Sequence, residues 1–499
     1  MIQDFKLTKE DKIFILLFAG LILLYVLPML IANCPYNDDF SRILKGNSWD
    51  DDGRLLPSII VRFLVHSTSI FDPAPLPLIM SVPIFTFGGF MIKRLFIDVD
   101  SPYISAIIAM GFVFNPYLVR LFVYQLDSIG LSLSLVLLII PFTLAASESS
   151  KKKISYYAKC ILCIFLSMNS YQASLGFFMS LAVIELVHSV YKNQFNGIFK
   201  TLLSRVIQLV VAFTAYKLFL KLFFIANIAR RAVNAKTLNF SDDSISAFFD
   251  NCQRMISAIF DSLSQQQTII LAVLLIISIL FVVNLYKKNI TAANISTSSK
   301  TALLLIVLAP LIIFAFSFVH MAFLKGSSRI MLQVLTSFSG LTAFLLLVPS
   351  WAIKNKKILC WLIVPVMLSA YGFSYIAGNL VKIEYDFQQP TISSIVSEIN
   401  DTLPDNRTRL YYSGHLPRSN YFKRIIKIFP MVSELDTNTP WGFKYRLPYL
   451  GCALAKENYQ DIDLKPLKTK IDTATLPIIN SSYYYNLYKY NSDLLLIFK

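Results

Sequence analysis

Apolar segments of about twenty residues recur along this chain as far as residue 380. A helix of about 20 residues crosses a hydrocarbon layer of about 30 Å, so each segment is long enough to span a membrane. The composition agrees, because 55% of the residues are hydrophobic and only 15% are charged, against about 25% in soluble domains. We predict a polytopic α-helical membrane protein of about eleven spans, at residues 13–32, 74–92, 103–121, 128–147, 155–169, 173–190, 203–226, 268–286, 302–320, 329–349 and 358–380.

Basic residues predict which junctions face the cytoplasm, where Lys and Arg accumulate in membrane proteins. They precede the first span and then occupy every second junction, at Lys93 and Arg94, Lys151 to Lys153, Lys192 and Lys200, Lys287 and Lys288, and Lys354, Lys356 and Lys357. The amino terminus is therefore expected inside. The net charge of +16 reflects this topology, and without a zinc-finger spacing or a phosphate-binding glycine loop we expect no nucleic-acid partner.

Three other stretches depart from the spanning pattern. Leu55 to Ile70 is apolar but short, which fits a helix lying at the interface or a hairpin arm. Residues 227–267 form a long outer loop with a helix-like part. After residue 380 the chain becomes polar and rich in Tyr, with strand-like segments at 409–413 and 493–498. We predict a transmembrane domain over 1–380 and a small extracytoplasmic α/β domain over 381–499.

Five carboxylates crowd the polar loop at 33–56, which follows the first span. They are Asp38, Asp39, Asp50, Asp51 and Asp52. Charge beside lipid is costly and typically marks function, although Asp also caps helices and favours loops. Three chemistries fit the cluster: a general base for an attacking hydroxyl, a site for a hard divalent cation, or an ion relay in a transporter.

Short motifs follow this loop in a fixed order. They run over Asn37 to Arg42, Trp49 to Arg54, Asp72 to Leu76, Asn115 to Tyr117, Tyr124 to Ser128 and Ser170 to Ser174. One membrane helix followed by an acidic loop that ends in Asp-Gly-Arg resembles the GtrII-type glucosyltransferases that modify bacterial O-antigen. Beyond residue 180 the resemblance rests on topology, on Gly326 to Arg329 and on the external carboxyl-terminal domain.

The resemblance implies a GT-C-like fold and a glycosyltransferase of the bacterial inner membrane. It implies that a sugar, commonly glucose, moves from undecaprenyl phosphate to O-antigen, lipopolysaccharide or a related surface glycan on the outer side. Such lipopolysaccharide modification produces serotype conversion. A small flippase and a cytoplasmic sugar-lipid synthase would be partners.

The chemistry of the residues is compatible with an inverting transfer. Phosphate is a good leaving group, so one carboxylate base suffices, unlike the carboxyl pair of glycosidases. No cofactor is then required, although the Asp cluster also fits a divalent cation. Two alternatives remain open: a transporter or flippase of lipid-linked sugars, which would place charges in mid-membrane, and an O-antigen polymerase, which would use a sugar pyrophosphate.

The catalytic candidates are Asp38 and Asp39, with a preference for Asp38 as the base. Its neighbour would orient the acceptor or raise its partner's pKa by repulsion between like charges. Asp51 and Asp52 are candidates for binding acceptor hydroxyls, and solvated loop charges are the alternative.

Cations on the predicted outer side are candidates for the donor phosphate, because an arginine fork engages phosphate oxygens in pairs. They are Arg54, Arg120, Lys325 and Arg329. The alternative is snorkelling at the ends of spans.

Asp127, Tyr171 and Gln172 complete the predicted site as ligands of the sugar or the acceptor. A simple helix cap explains Asp127 as well, and an interfacial Tyr belt explains Tyr171. The six Cys and four His show no metal-ligand spacing, so no metal residues are assigned.

Overall fold

The computed structural model describes residues 7–144, 150–194, 197–223, 242–290, 304–324, 332–402, 408–436, 440–454, 464–466 and 473–499. Helices dominate the architecture. They are α1 (Lys9–Ala32), α2 (Asp38–Lys45), α3 (Leu55–Leu64), α4 (Leu76–Phe96), α5 (Pro102–Ala109), α6 (Pro116–Val123), α7 (Ser128–Thr143), α8 (Ser150–Met168), α9 (Leu175–Tyr191), α10 (Ile198–Phe223), α11 (Asp242–Ser262), α12 (Gln265–Ile290), α13 (Ala309–Phe316), α14 (Val319–Ala322), α15 (Ser339–Ala352), α16 (Lys356–Asp401), α17 (Asn420–Ile425) and α18 (Pro440–Tyr449).

Eight helices within the described ranges are long and apolar enough to cross a membrane, or nine if one bent pair counts as a single span. A helical membrane protein is thereby confirmed. The predicted spans at 155–169 and 302–320 fall on α8 and on the pair α13 and α14, which are not among those eight. The expected number of eleven therefore stays a prediction.

The bent pair is α5 and α6, which lie on either side of a 74° turn. Asn115 caps α6, because its side-chain oxygen accepts from the Tyr117 N–H at 3.0 Å. Its amide also donates to the Leu335 carbonyl at 2.9 Å. The predicted span at 103–121 coincides with this pair, which passes as one span only when its two helices are counted together. The pair is bent because the cap starts a new helix in another direction.

Helix α3 spans ten residues, which at 1.5 Å per residue reach about 15 Å. That length is half of a hydrocarbon layer. The structure thus has a short helix within Leu55 to Ile70, and its position at the interface stays a prediction.

Helix α16 is 46 residues long and begins at the cap Asn355, whose side chain accepts from the Lys357 and Ile358 N–H groups. Its first half is one of the membrane-spanning candidates. Its second half runs on into the polar region and packs there through Ile392, Ile395 and other apolar residues. The predicted border at residue 380 lies inside this one helix.

A small five-stranded sheet follows in the carboxyl-terminal region. Its strands are β1 (Leu410–Ser413), β2 (Leu464–Pro466), β3 (Ile478–Ser481), β4 (Tyr485–Tyr490) and β5 (Asp493–Phe498). The order is β2-β1-β5-β4-β3, with β1 parallel to both neighbours and β4 antiparallel to both of its own. The end of α16 and helix α18 cover this sheet, as expected of a small α/β unit.

Residues 417–436, which we name the collar, connect the sheet region with the membrane helices. Phe422, Met431, Val432 and Leu435 are buried in the same hydrophobic core as the apolar spans, and not in the core of the small sheet. The collar therefore packs with the membrane helices although it lies in the polar third of the chain.

Candidate active site

Helix α2 starts directly at the first two carboxylates of the acidic loop. Asn37 precedes it with a φ of 39°, a left-handed conformation that Asn tolerates better than most residues. Acidic residues in the first turn are favourable, because they face the positive end of the helix dipole. Asp38 is half-buried, whereas Asp39 is 2% exposed.

Asp39 lies in an environment that favours its protonated form. One carboxyl oxygen accepts from the Tyr36 N–H at 3.2 Å, and the other is buried without a hydrogen-bond partner among the described atoms. Burial raises the pKa of Asp39 well above its usual range, and the charge of Asp127 raises it further. Asp39 is therefore poorly suited to accept a proton from a substrate.

Asp127 holds the buried Trp49 in place. The Trp49 indole N–H donates to the Asp127 carboxylate, and the Trp49 backbone N–H donates to the Ser58 hydroxyl at 3.0 Å. Asp127 occupies the cap position of α7, but its side chain makes no capping hydrogen bond. Its carboxylate thus joins the acidic loop to the membrane helices and does not serve as a cap.

The second group of acids forms a 3-10 turn over Asp50–Asp52. Asp50 pairs with Arg62 at 2.8 Å, and Asp52 lies 3.6 Å from Arg42. Asp51 is exposed. The negative charges of Asp50 and Asp52 are therefore compensated by arginines of the neighbouring helices α3 and α2.

Arg54 lies against the tight turn that starts α9. Its guanidinium stacks over the Tyr171 ring at 4.3 Å, and its Nε donates to the Gln172 side-chain oxygen at 3.1 Å. No carboxylate pairs with it in the described part of the chain. Its remaining donors are thus available to an anion.

Gln172 ties this turn to the acidic loop. Its amide donates to the Asp52 carbonyl at 2.9 Å, and the Tyr216 hydroxyl donates to the Gly53 carbonyl at 3.0 Å. Gly53 has a φ of 70°, and a Cβ there would lie 2.8 Å from the Tyr216 hydroxyl. The Asp-Gly-Arg sequence needs glycine for both reasons.

Arg120 forms an ion pair with Glu434 of the collar. Beside it, Tyr36 and Tyr124 meet edge to face at 4.8 Å between ring centroids, and the Tyr36 hydroxyl donates to the Glu434 carbonyl at 3.2 Å. Burial raises the pKa of Tyr36, Arg120 lowers it, and Asp38 is among the acids that raise it. Asp38 and Arg120 therefore lie within electrostatic reach of one phenol.

A similar relation holds around Tyr171. Burial raises the pKa of its phenol, Arg54 lowers it, Asp127 raises it and Arg120 lowers it. The two predicted phosphate ligands Arg54 and Arg120 thus act on the same side chain, and the site lies between the acidic loop, the elbow at α6 and the turn before α9.

The structure brings together most of the predicted site residues. They are Asp38, Asp39, Asp52, Arg54, Arg120, Asp127, Tyr171 and Gln172. Asp51 points into solvent, and Lys325 and Arg329 lie outside the described residues.

Several neighbours carried no prediction. Arg42 and Trp49 belong to the motifs of the acidic loop, and their proximity to five acids was a signal. Tyr36 and Tyr124 were equally close in sequence to predicted residues. Glu434 gave no signal, because it is 314 residues from its partner in a region without a motif.

Carboxylates, His and Cys do not gather into a metal site in the described ranges. No group of three or more of these side chains there could hold a metal ion.

Comparison with known proteins adds the decisive observation. The family model described as glucosyl transferase GtrII matches residues 27–349, which is well over half of the chain. This chain belongs to the glucosyl transferase GtrII family. The match includes the acidic loop, the α6 elbow and the turn before α9, and it confirms the resemblance stated from the motifs.

One protein with a similar sequence comes from a bacteriophage. An uncharacterized 55.3 kDa protein from the gtrB 5' region of Salmonella phage P22 is 31% identical over 219 residues. The aligned part covers 43% of this chain and 44% of that protein. The chain thus spans less than half of the relative's length in this match.

Proposed function

We propose that this GtrII family member is a membrane glycosyltransferase that moves glucose from undecaprenyl phosphate to O-antigen or a related surface glycan. The transfer takes place on the outer side of the bacterial inner membrane, where the carboxyl-terminal domain also lies. Family membership supports the reaction class, and the location of the phage relative in the gtrB region is consistent with it.

Asp38 is the proposed general base. Asp39 is deeply buried and its raised pKa favours the protonated form, whereas Asp38 is half-buried at the start of α2. A base must be ionised and must reach the proton that it removes. The contrast between the two neighbours supports Asp38 in this role.

Arg54 and Arg120 are the proposed ligands of the donor phosphate. Arg54 stacks on Tyr171 and lacks a carboxylate partner in the described chain. Arg120 pairs through one terminal nitrogen with Glu434, and its buried Nε has no hydrogen-bond partner among the described atoms. The donor phosphate would replace the Glu434 carboxylate as the partner of Arg120. Arginine presents paired donors to phosphate oxygens.

The proposed reaction is a single displacement. Asp38 takes the proton of an acceptor hydroxyl while the hydroxyl oxygen forms a bond to the anomeric carbon of the sugar. The bond between that carbon and the phosphate oxygen breaks, and the electron pair leaves with the lipid phosphate, held by the two arginines. Attack opposite the leaving group inverts the anomeric configuration.

The observation that carries this proposal is the arrangement around Tyr36, in a chain of this family. The Tyr36 hydroxyl donates to Glu434, the partner of Arg120, and Asp38 starts helix α2 two residues after Tyr36. The test uses the purified full-length protein with undecaprenyl-phosphate glucose and a lipopolysaccharide acceptor. Glucosylated product supports the proposal. Movement of the lipid across the bilayer without product, or product only from a pyrophosphate donor, would contradict it.

A divalent cation is not required by this chemistry, since the arginines compensate the phosphate. We expect full activity after treatment with EDTA and removal of the chelate. Loss of activity that Mg²⁺ or Mn²⁺ restores would show that the acidic loop holds a metal.

A further inference from the structure

The collar runs along α16 toward the membrane. At its start, the Ser419 N–H donates to the Glu384 carboxylate at 3.1 Å. Further on, the Phe429 ring lies 5.9 Å from the Phe373 ring. Glu384 and Phe373 are eleven residues apart on α16, which corresponds to about 16 Å along its axis. The segment 419–429 therefore follows α16 back in the direction of its membrane-spanning half.

The depth reached by this segment follows from the length of α16. The helix starts at Lys356 and exposes 83% of Trp361, a residue type that marks the membrane interface. About 20 residues cross the hydrocarbon layer, which places the opposite boundary near residue 380. Phe373 lies on the membrane side of that boundary. Phe429 contacts Phe373, so the turn at Phe429 lies at the depth of the lipid.

The surface of the collar at this level is basic and apolar. Lys423, Arg424 and Lys427 are exposed, and Ile428 is 52% exposed. None of the three cations pairs with a carboxylate in the described part of the chain. On the opposite side of the segment, Phe422 is buried among the membrane helices.

Cations at the level of the headgroups need anionic partners, and the phosphates of phospholipids are the anions found there. An exposed isoleucine beside them suits contact with acyl chains.

We propose that residues 423–428 of the collar bind anionic phospholipids through their headgroup phosphates, with Ile428 inserted among the acyl chains. The bound lipids lie in the leaflet on the side of the acidic loop, because the collar contacts both this loop and the membrane helices. This lipid contact would hold the collar against Tyr36 and Arg120. It is independent of the reaction proposed above.

The test places a photoreactive group at the tip of the collar. The full-length variant Ile428→p-benzoylphenylalanine is reconstituted in nanodiscs of phosphatidylcholine and phosphatidylglycerol and illuminated, and adducts are identified by intact mass. Each cation near an anionic surface favours binding by about fivefold. We therefore expect the ratio of phosphatidylglycerol to phosphatidylcholine adducts to exceed the ratio of the two lipids in the nanodisc by at least about threefold.

Two controls keep this experiment decisive. In the same labelled protein, the combined change K423Q, R424Q and K427Q should reduce the adducts to the molar share, whereas K465Q, K489Q and K499Q in the small sheet should leave them unchanged. The label at Ile478, which is 59% exposed at the start of β3, should give no lipid adduct, because that end of the sheet lies beside Glu398 of α16, far beyond residue 380.

Three outcomes would overturn the proposal. Adducts in proportion to the lipid mixture would show contact without recognition of charge. An absence of lipid adducts at residue 428 would place the collar in water. Adducts to a second copy of the chain would make the surface a protein interface.

Discussion

The two groups of acids in the same loop are treated very differently by the fold. In the 3-10 turn, Asp50 and Asp52 lie beside Arg62 and Arg42, so most of that charge is compensated locally. On α2, Asp39 is buried beside the like charge of Asp127, and Asp38 stays half-exposed. The acidic motif therefore contains one group of carboxylates that stabilises the loop and a second group that includes the proposed base.

The comparison shows that burial and pairing decide the role of a carboxylate more than its place in a motif. An acid with an arginine partner fixes a loop, because removing either partner leaves a charge uncompensated. An acid that stays half-exposed at the start of a helix, as Asp38 does, can be reached by a substrate and change its protonation state during a reaction. The following predictions test this division.

The largest effect is expected at the two neighbours on α2. Asp38→Asn should lower the turnover number by about 10²–10⁴-fold, the usual contribution of a general base, while Asp39→Asn should retain activity within about tenfold. Initial rates with undecaprenyl-phosphate glucose measure both, with folding checked by gel filtration. Equal losses in the two variants would remove the distinction between the neighbours.

Arg54→Gln should weaken the donor site. A hydrogen bond to a charged group contributes about 1.5–3 kcal/mol, so the donor KM should rise by about tenfold or more. The acceptor KM is expected to stay constant. Arg62→Gln is the matched control, because Arg62 pairs with Asp50 and we assign it no donor contact; equal donor effects in both would reduce Arg54 to a structural residue.

Trp49→Phe tests the link between the acidic loop and α7. The change keeps a six-membered aromatic ring but removes the five-membered part of the indole, with the N–H that the half-buried Asp127 accepts. An acceptor left without its donor costs about 1–3 kcal/mol when buried, and the gap at the fully buried Trp49 site adds to that loss. The apparent Tm in detergent should fall by roughly 2–4 °C. Thermal stability equal to that of the parent would mean that Asp127 does not depend on Trp49.

The smallest effect concerns the pH dependence of stability. The pKa of Asp39 is raised in the folded protein, so its stabilising contribution is complete at low pH and is lost as the pH rises through that raised value. Asp39→Asn cannot ionise. Between pH 5 and pH 8 the parent should lose at most about 2 °C of Tm relative to this variant. An opposite trend would mean that Asp39 is charged in the fold.

The membrane helices and the site loop were predictable because their signals are local. Apolar length identifies spans, and crowded acids after the first span identify the loop. The bend between α5 and α6 had a local signal as well, since Asn115-Pro116 is a typical helix start, but the apolar run across it was read only as a span.

The partners of the loop were not predictable from one sequence. Whether Asp50 forms an ion pair with Arg62 or with Arg54 depends on the path of the backbone from Asp50 to Arg62. The contact of Arg120 with Glu434 joins residues whose neighbourhoods share no pattern. Lys325 and Arg329 remain predictions, because they lie outside the described residues.

The contact of the collar with Tyr36 also has a consequence for biogenesis. The acidic loop leaves the ribosome well before the collar that closes against it, because Glu434 follows Tyr36 by 398 residues. A nascent chain inserted in the membrane would thus carry an incomplete candidate site until the collar has been synthesised. A frameshift between the acidic loop and the collar should yield inserted but inert protein.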